Sequence, residues 1–154
     1  MVRCQNRVFE VIDTAAEKTG TNLLVDAEQT YINKALDSMT KQLQTHYHKD
    51  RPAFILNAYQ CYLKASTEHI KLEIARCKRV NIGCGMKLVR GAYMEEERLI
   101  AEDRGYESPV WDTIADTHNA YNSSLKTILE NNDPDRGKSL LYFRIYRFLF
   151  LCNS

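Results

Sequence analysis

The sequence predicts an α/β fold built on a parallel sheet, and three observations carry that prediction. Short apolar runs begin near Leu23, Phe54 and Met86, a repeat of roughly 30 residues, the length of a βαβ unit. Each run is continuously apolar, the pattern of parallel strands buried on both faces. Each also ends in polar side chains: Asp26 and Glu28, Asn57 and Gln60, Arg90 and Tyr93. In parallel α/β folds that C-terminal edge is where ligands sit. Periodicity alone leaves a βα-barrel and a doubly wound sheet both open.

Ahead of the first strand, Val8, Val11, Ile12, Ala15 and Ala16 recur at helical spacing, with Gly20 as the stop. Leu23-Leu24-Val25 is the first strand, closed by Asp26-Ala27-Glu28. Ile32, Ala35, Leu36, Met39 and Leu43 mark an amphipathic helix that runs out into a polar loop from His46 to Asp50. Pro52 introduces the second strand, Phe54-Ile55-Leu56, which ends in Asn57-Ala58-Tyr59-Gln60. Ile70, Ile74, Cys77 and Val80 set the helix from Lys64 to about Val80.

The third strand, Lys87 to Tyr93, places Leu88-Val89 between two cations and runs into Gly91. A cation on a buried strand needs an anionic partner or ligand. Gly91 removes a side chain where another backbone or a flat ligand must come close. Arg90 is placed to pair with Glu28 or Glu95. The helix from Glu95 to Gly105 opens on three glutamates, read as a solvated start facing the helix dipole. A turn at Gly105 to Pro109 precedes a helix from about Asp112 to Glu130, capped by Asp112 or Thr113.

Composition narrows the function. With 154 residues the chain suits one domain. Its 21 Lys and Arg against 20 Asp and Glu leave a net charge of +1, no field for nucleic acid. Five cysteines, an odd set with no C-x-x-C spacing, fit reduced thiols inside a cell. No apolar run reaches the length of a membrane helix. The N-terminus lacks a signal core, and Glu10 and Asp13 argue against a transit peptide. His46-Tyr47-His48 with Asp50 has no Cys at ligand spacing, so no metal site is expected. Gly83-Cys84-Gly85 precedes its strand and is not a dinucleotide fingerprint. Residues 132–154 form a divergent tail whose apolar run, Leu140 to Leu151, suits a membrane surface or a core element.

Three motifs then carry a resemblance. Leu24-Val25-Asp26-Ala27-Glu28-Gln29-Thr30-Tyr31, Asn57-Ala58-Tyr59-Gln60-Cys61-Tyr62-Leu63-Lys64 and Lys87-Leu88-Val89-Arg90-Gly91-Ala92-Tyr93-Met94 closely resemble successive strand motifs of eukaryotic proline dehydrogenase. Glu97-Arg98 and Gly105-Tyr106-Glu107-Ser108-Pro109 extend the match, which covers about residues 7–131. The resemblance implies a partial (β/α)8 (TIM-type) barrel over residues 1–131, about half of the family's barrel. It implies FAD at the strand ends and oxidation of L-proline to Δ1-pyrroline-5-carboxylate. Hydride passes to flavin N5, electrons pass on to a quinone, and the enzyme sits at the matrix side of the mitochondrial inner membrane.

Position by position, the resemblance makes Asp26 and Lys87 the catalytic pair. Asp26 organises the charged network around the substrate, and Lys87 is a cation near the flavin. It makes Gln60, Lys87, Val89, Gly91, Ala92 and Tyr93 the cofactor-binding residues. The family's arginine pair for the substrate carboxylate has no counterpart here, and neither do the later strands. The chain therefore reads as truncated. The rival readings are an inactive barrel fragment that acts at most by association, and a hydroxyproline dehydrogenase relative.

Overall fold

The computed structural model describes residues 2–18, 21–49 and 52–131. In chain order the elements are α1 (Val2–Lys18), β1 (Leu23–Val25), α2 (Thr30–Tyr47) and β2 (Ile55–Gln60). They continue with α3 (Ser66–Val80), β3 (Met86–Val89), α4 (Met94–Arg104) and α5 (Ile114–Glu130). The strands form one sheet in the order β1-β2-β3, all parallel.

Register sorts the strand residues onto two faces. Leu23 pairs with Ile55 and Val25 with Asn57, while Asn57 pairs with Met86 and Tyr59 with Leu88. Because side chains alternate along a strand, these residues share the face that meets the helices. On it, Ile55 packs with Ile12 of α1 and Leu43 of α2, with Leu23 alongside. Tyr59, Met86 and Leu88 pack with Ile70 and Ile74 of α3 and with Tyr121 and Ile128 of α5. Leu24, Leu56, Ala58, Gln60, Lys87 and Val89 belong to the other face.

A doubly wound sheet carries helices on both faces and reverses its strand order at a switch point. Here the sheet runs in sequence order, and both apolar cores of the described residues lie on one face. The fold is an α/β partial barrel of the TIM type.

The N-terminal ends of β2 and β3 are fastened by polar groups. Gln44 of α2, fully buried, donates from Nε2 to the carbonyls of Ile55 (3.1 Å) and Gly85 (2.9 Å). A Cβ at Gly85 would collide with the Ile55 carbonyl oxygen, so this glycine serves a close backbone approach. His48 is also fully buried, and its Nε2 accepts from the amides of Phe54 (3.3 Å) and Ile55 (3.1 Å). That fixes the proton on Nδ1, which donates to Gly83 O at 2.8 Å.

The structure corrects several expectations. β2 begins at Ile55, one residue after Phe54, and ends at Gln60 as the sequence suggests, with Asn57 satisfied by Asp37 (2.8 Å) and Tyr59 OH (3.3 Å). β3 stops at Val89, so Arg90 to Tyr93 form the turn into α4. His46 and Tyr47 belong to the last turn of α2, and His48 is a buried clamp instead of a loop residue. The α5 cap is Thr113, whose Oγ1 accepts from Asp116 N at 3.1 Å. Gly20, Asp50 and the 132–154 tail lie outside the described residues.

Candidate functional site

The loop from Asp26 to Gln29 leaves β1 and is met from β2, from the turn after β3, and from α4. Val25 pairs with Asn57, so Asp26 continues beside Ala58, which in turn pairs with Lys87. These three residues lie in one row across the sheet, the smallest in the middle. Lys87 Nζ donates along that row to Asp26 Oδ1 at 2.8 Å. The Lys87 side chain is 8% exposed and that of Asp26 61%. A pair with one member in solvent stabilises by about 1 kcal/mol at most. Its effect is to hold a buried cation in one place beside an accessible carboxylate.

Gln60 ends β2 next to this row. Its Nε2 donates to Glu28 O at 2.7 Å. Its Oε1 is buried with no hydrogen-bond partner, and the residue is 3% exposed. A buried carbonyl left unpaired costs about 1–3 kcal/mol, which marks it as an acceptor awaiting a donor. Val89, buried, is its partner on β3. Tyr93 precedes α4, and its hydroxyl donates to Glu28 Oε2 at 2.7 Å. That bond, with burial next, raises the Tyr93 phenol above its ordinary pKa. Ala92 is exposed. A Cβ on Gly91 would come within 2.8 Å of Met94 Sδ, a flexible neighbour.

Asp26, Gln60, Lys87 and Tyr93 therefore come together, three of them through Glu28 or Asp26. A cavity of about 300 Å³ opens beside this edge, lined by Asp26, Thr30, Gln60, Ser66 and His69 among others. The Ser66 hydroxyl, also buried, has no partner.

Two residues depart from the sequence reading. Arg90 pairs with neither Glu28 nor Glu95: its guanidinium carbon lies 4.6 Å from the centroid of the Tyr121 ring. One residue beyond β3, it follows the helix-facing side of the strand, away from the carboxylates. Glu97 is not solvated at all. It is 0% exposed, and its carboxylate accepts from Thr30 N (2.6 Å) and Thr30 Oγ1 (2.7 Å). Gln29, the N-cap residue of α2, supplies no side-chain cap, so Glu97 does the capping from another helix. A run of three glutamates gives no sign of which one turns inward. Ala58 was equally silent, its importance being the bulk it lacks.

Chemically, the edge offers a fixed buried cation, an accessible carboxylate, an unpaired carbonyl and a phenol. Together they suit a planar polar ligand that gains negative charge.

The family model for proline dehydrogenase matches residues 2–137. Human "Proline dehydrogenase 1, mitochondrial" is 38% identical over 127 residues, 80% of this chain and 21% of that protein. "Hydroxyproline dehydrogenase" of Xenopus laevis is 38% identical over 108 residues, 70% of this chain and 23% of that protein. The crystal structure of proline utilization A from Bdellovibrio bacteriovorus, inactivated by N-propargylglycine, superposes with a TM-score of 0.79 at 26% identity. It covers 90% of this chain and 14% of that one. The chain thus spans about a fifth of the length of the curated relatives it matches.

Proposed function

The chain belongs to the proline dehydrogenase family, and from that premise we propose that its strands form part of a flavin site that oxidises L-proline to Δ1-pyrroline-5-carboxylate. The observation that carries the proposal is the unpartnered, buried Oε1 of Gln60 on the same sheet edge as the Lys87–Asp26 pair. A flavin ring presents an N–H donor that such a carbonyl accepts, so the residues present fit FAD.

FAD bound there would supply a hydride acceptor for the ring carbon beside the substrate nitrogen. Lys87 supplies positive charge already oriented by Asp26, so no reorganisation is needed as negative charge develops beside it. Val89, Gly91, Ala92 and Tyr93 would line the ring, with Gly91 and Ala92 leaving the backbone nearly bare. The exposed carboxylate of Asp26 would balance the substrate ammonium. The same reading puts the chain in the mitochondrion, at the matrix side of the inner membrane, with a quinone as electron acceptor. The mitochondrial naming of the human relative supports the compartment, while the membrane side and the quinone rest on the family resemblance alone.

The test is direct: purify the chain, record flavin absorbance, and assay dye reduction with L-proline and with hydroxyproline. Bound flavin with faster turnover of L-proline is the expected result. Faster turnover of hydroxyproline would reassign the substrate. Colourless, inactive protein would favour the alternative, an inert fragment that acts only by association.

A further inference from the structure

The N-terminal side of the sheet holds a second buried cluster that the proposed chemistry does not use. Glu73 and Cys77 lie one turn apart on α3, and Cys84 lies in the loop that leads into β3. Their possible ligand atoms all lie within 4.8 Å of one another. The three residues are 1%, 2% and 9% exposed. Spacing along the chain gave no sign of this, because a helix and a loop bring the two cysteines together.

We propose that Glu73, Cys77 and Cys84 bind a thiophilic divalent cation of the zinc type, with a water completing the shell. Metal–sulfur and metal–oxygen bonds of about 2.3 and 2.0 Å at tetrahedral angles put the sulfur and oxygen about 3.5 Å apart. Cys77 Sγ and Glu73 Oε1 stand 3.5 Å apart, with the thiol donating. The carboxylate also decides between two fates of a thiol pair. A disulfide would leave Glu73 without a role toward the sulfurs, whereas a cation uses all three groups.

The surroundings balance the charge. Two thiolates and one carboxylate on a divalent ion leave a net charge of −1. Arg76 sits against it, donating to Glu73 Oε2 at 2.8 Å and Oε1 at 2.5 Å. Arg76 is itself held by Thr45 Oγ1 (2.8 Å) and Gln44 Oε1 (3.1 Å). Outer partners of this kind orient a ligating carboxylate. Lys41 Nζ also lies 3.7 Å from Glu73 Oε2, and Arg76 lines an open groove with Lys41, Thr45 and Lys49. On binding, each thiol exchanges its S–H bond for a metal–sulfur bond and two protons leave to solvent, with no change of oxidation state. The bound ion ties α3 to the segment that starts β3, the strand bearing Lys87.

The experiment titrates the reduced, metal-stripped full chain with cobalt(II), then displaces it with zinc. One cobalt per chain, with thiolate-to-cobalt charge-transfer absorption, is expected. Cys77→Ser and Cys84→Ser should each remove about half of that absorption or more, one thiolate of two. Cys61→Ala, altering a buried cysteine outside the cluster, should leave it intact. Should the serine variants fail to fold, the wild-type titration decides alone. Absence of charge-transfer absorption in the wild type, or its persistence at full strength in the Cys77→Ser/Cys84→Ser double variant, overturns the proposal.

Discussion

Lys87 and Asp26 meet at 2.8 Å although their strands are not neighbours, because β2 lies between them and offers only Ala58 at the crossing. Adjacent strands stand about 4.8 Å apart, so about 9.6 Å of sheet separates the two backbones, a gap closed by the lysine, the aspartate and the bond between them. A long, unbranched side chain manages that only over a small residue.

Ala58→Leu is therefore expected to part the pair without unfolding the sheet. Flavin content and kcat/KM for proline should both fall, by tenfold or so for about 1.4 kcal/mol of lost transition-state stabilisation. Lys87→Met, which removes the charge itself, should cost about 100-fold in kcat. Steady-state kinetics beside circular dichroism separates a lost cation from lost folding.

Two glycines on either side of β3 should respond oppositely to alanine. At Gly85 the new methyl meets the Ile55 carbonyl, a backbone atom that cannot step aside. Gly85→Ala should destabilise by about 1–3 kcal/mol, read as a lower urea midpoint. At Gly91 it meets the end of Met94, which can turn away. Gly91→Ala should leave the urea midpoint nearly unchanged and reduce flavin retention.

Glu97→Ala removes both acceptors from Thr30 and leaves a helix-starting amide unpaired. The expected loss is about 2 kcal/mol, a missing cap plus an orphaned donor. Glu95→Ala and Glu96→Ala, at exposed positions of the same run, should each change stability by no more than about 0.5 kcal/mol. Thermal melts of the three variants check the contrast.

His48 predicts a pH dependence with a definite sign. Burial lowers its pKa below the ordinary 6.5, and Arg76 adds to that, while the bond to Gly83 opposes it. In the native state it stays neutral as the acceptor for Phe54 and Ile55. Below about pH 6.5 the unfolded chain binds a proton that the native state refuses. Its contribution is thus complete above that pH and is lost as pH falls toward the folded pKa. Urea midpoints at about pH 7.5 and pH 5.5 should differ, and His48→Gln should flatten the difference.

The apolar runs made the strands legible in the sequence, and their polar ends located the site edge. Where the reading stopped short, a polar residue had been taken for an exposed one. Glu97 and His48 were assigned to solvent with their neighbours, and each is buried on partners from another element. Arg90 went astray for a different reason: strand alternation sends it toward an aromatic ring on α5. The partners of Glu97, His48 and Arg90 all lie more than a helical turn away, so no local pattern announces them.

The bond between Thr30 and Glu97 spans 67 residues and closes the first corner of the site. During synthesis at about 5–20 residues per second, the glutamate follows the threonine by roughly 3–13 s. Over that interval α2 begins without its cap. The corner translated first is completed last, so its amide should exchange with solvent only when α4 and α2 separate, reporting the opening of the whole unit.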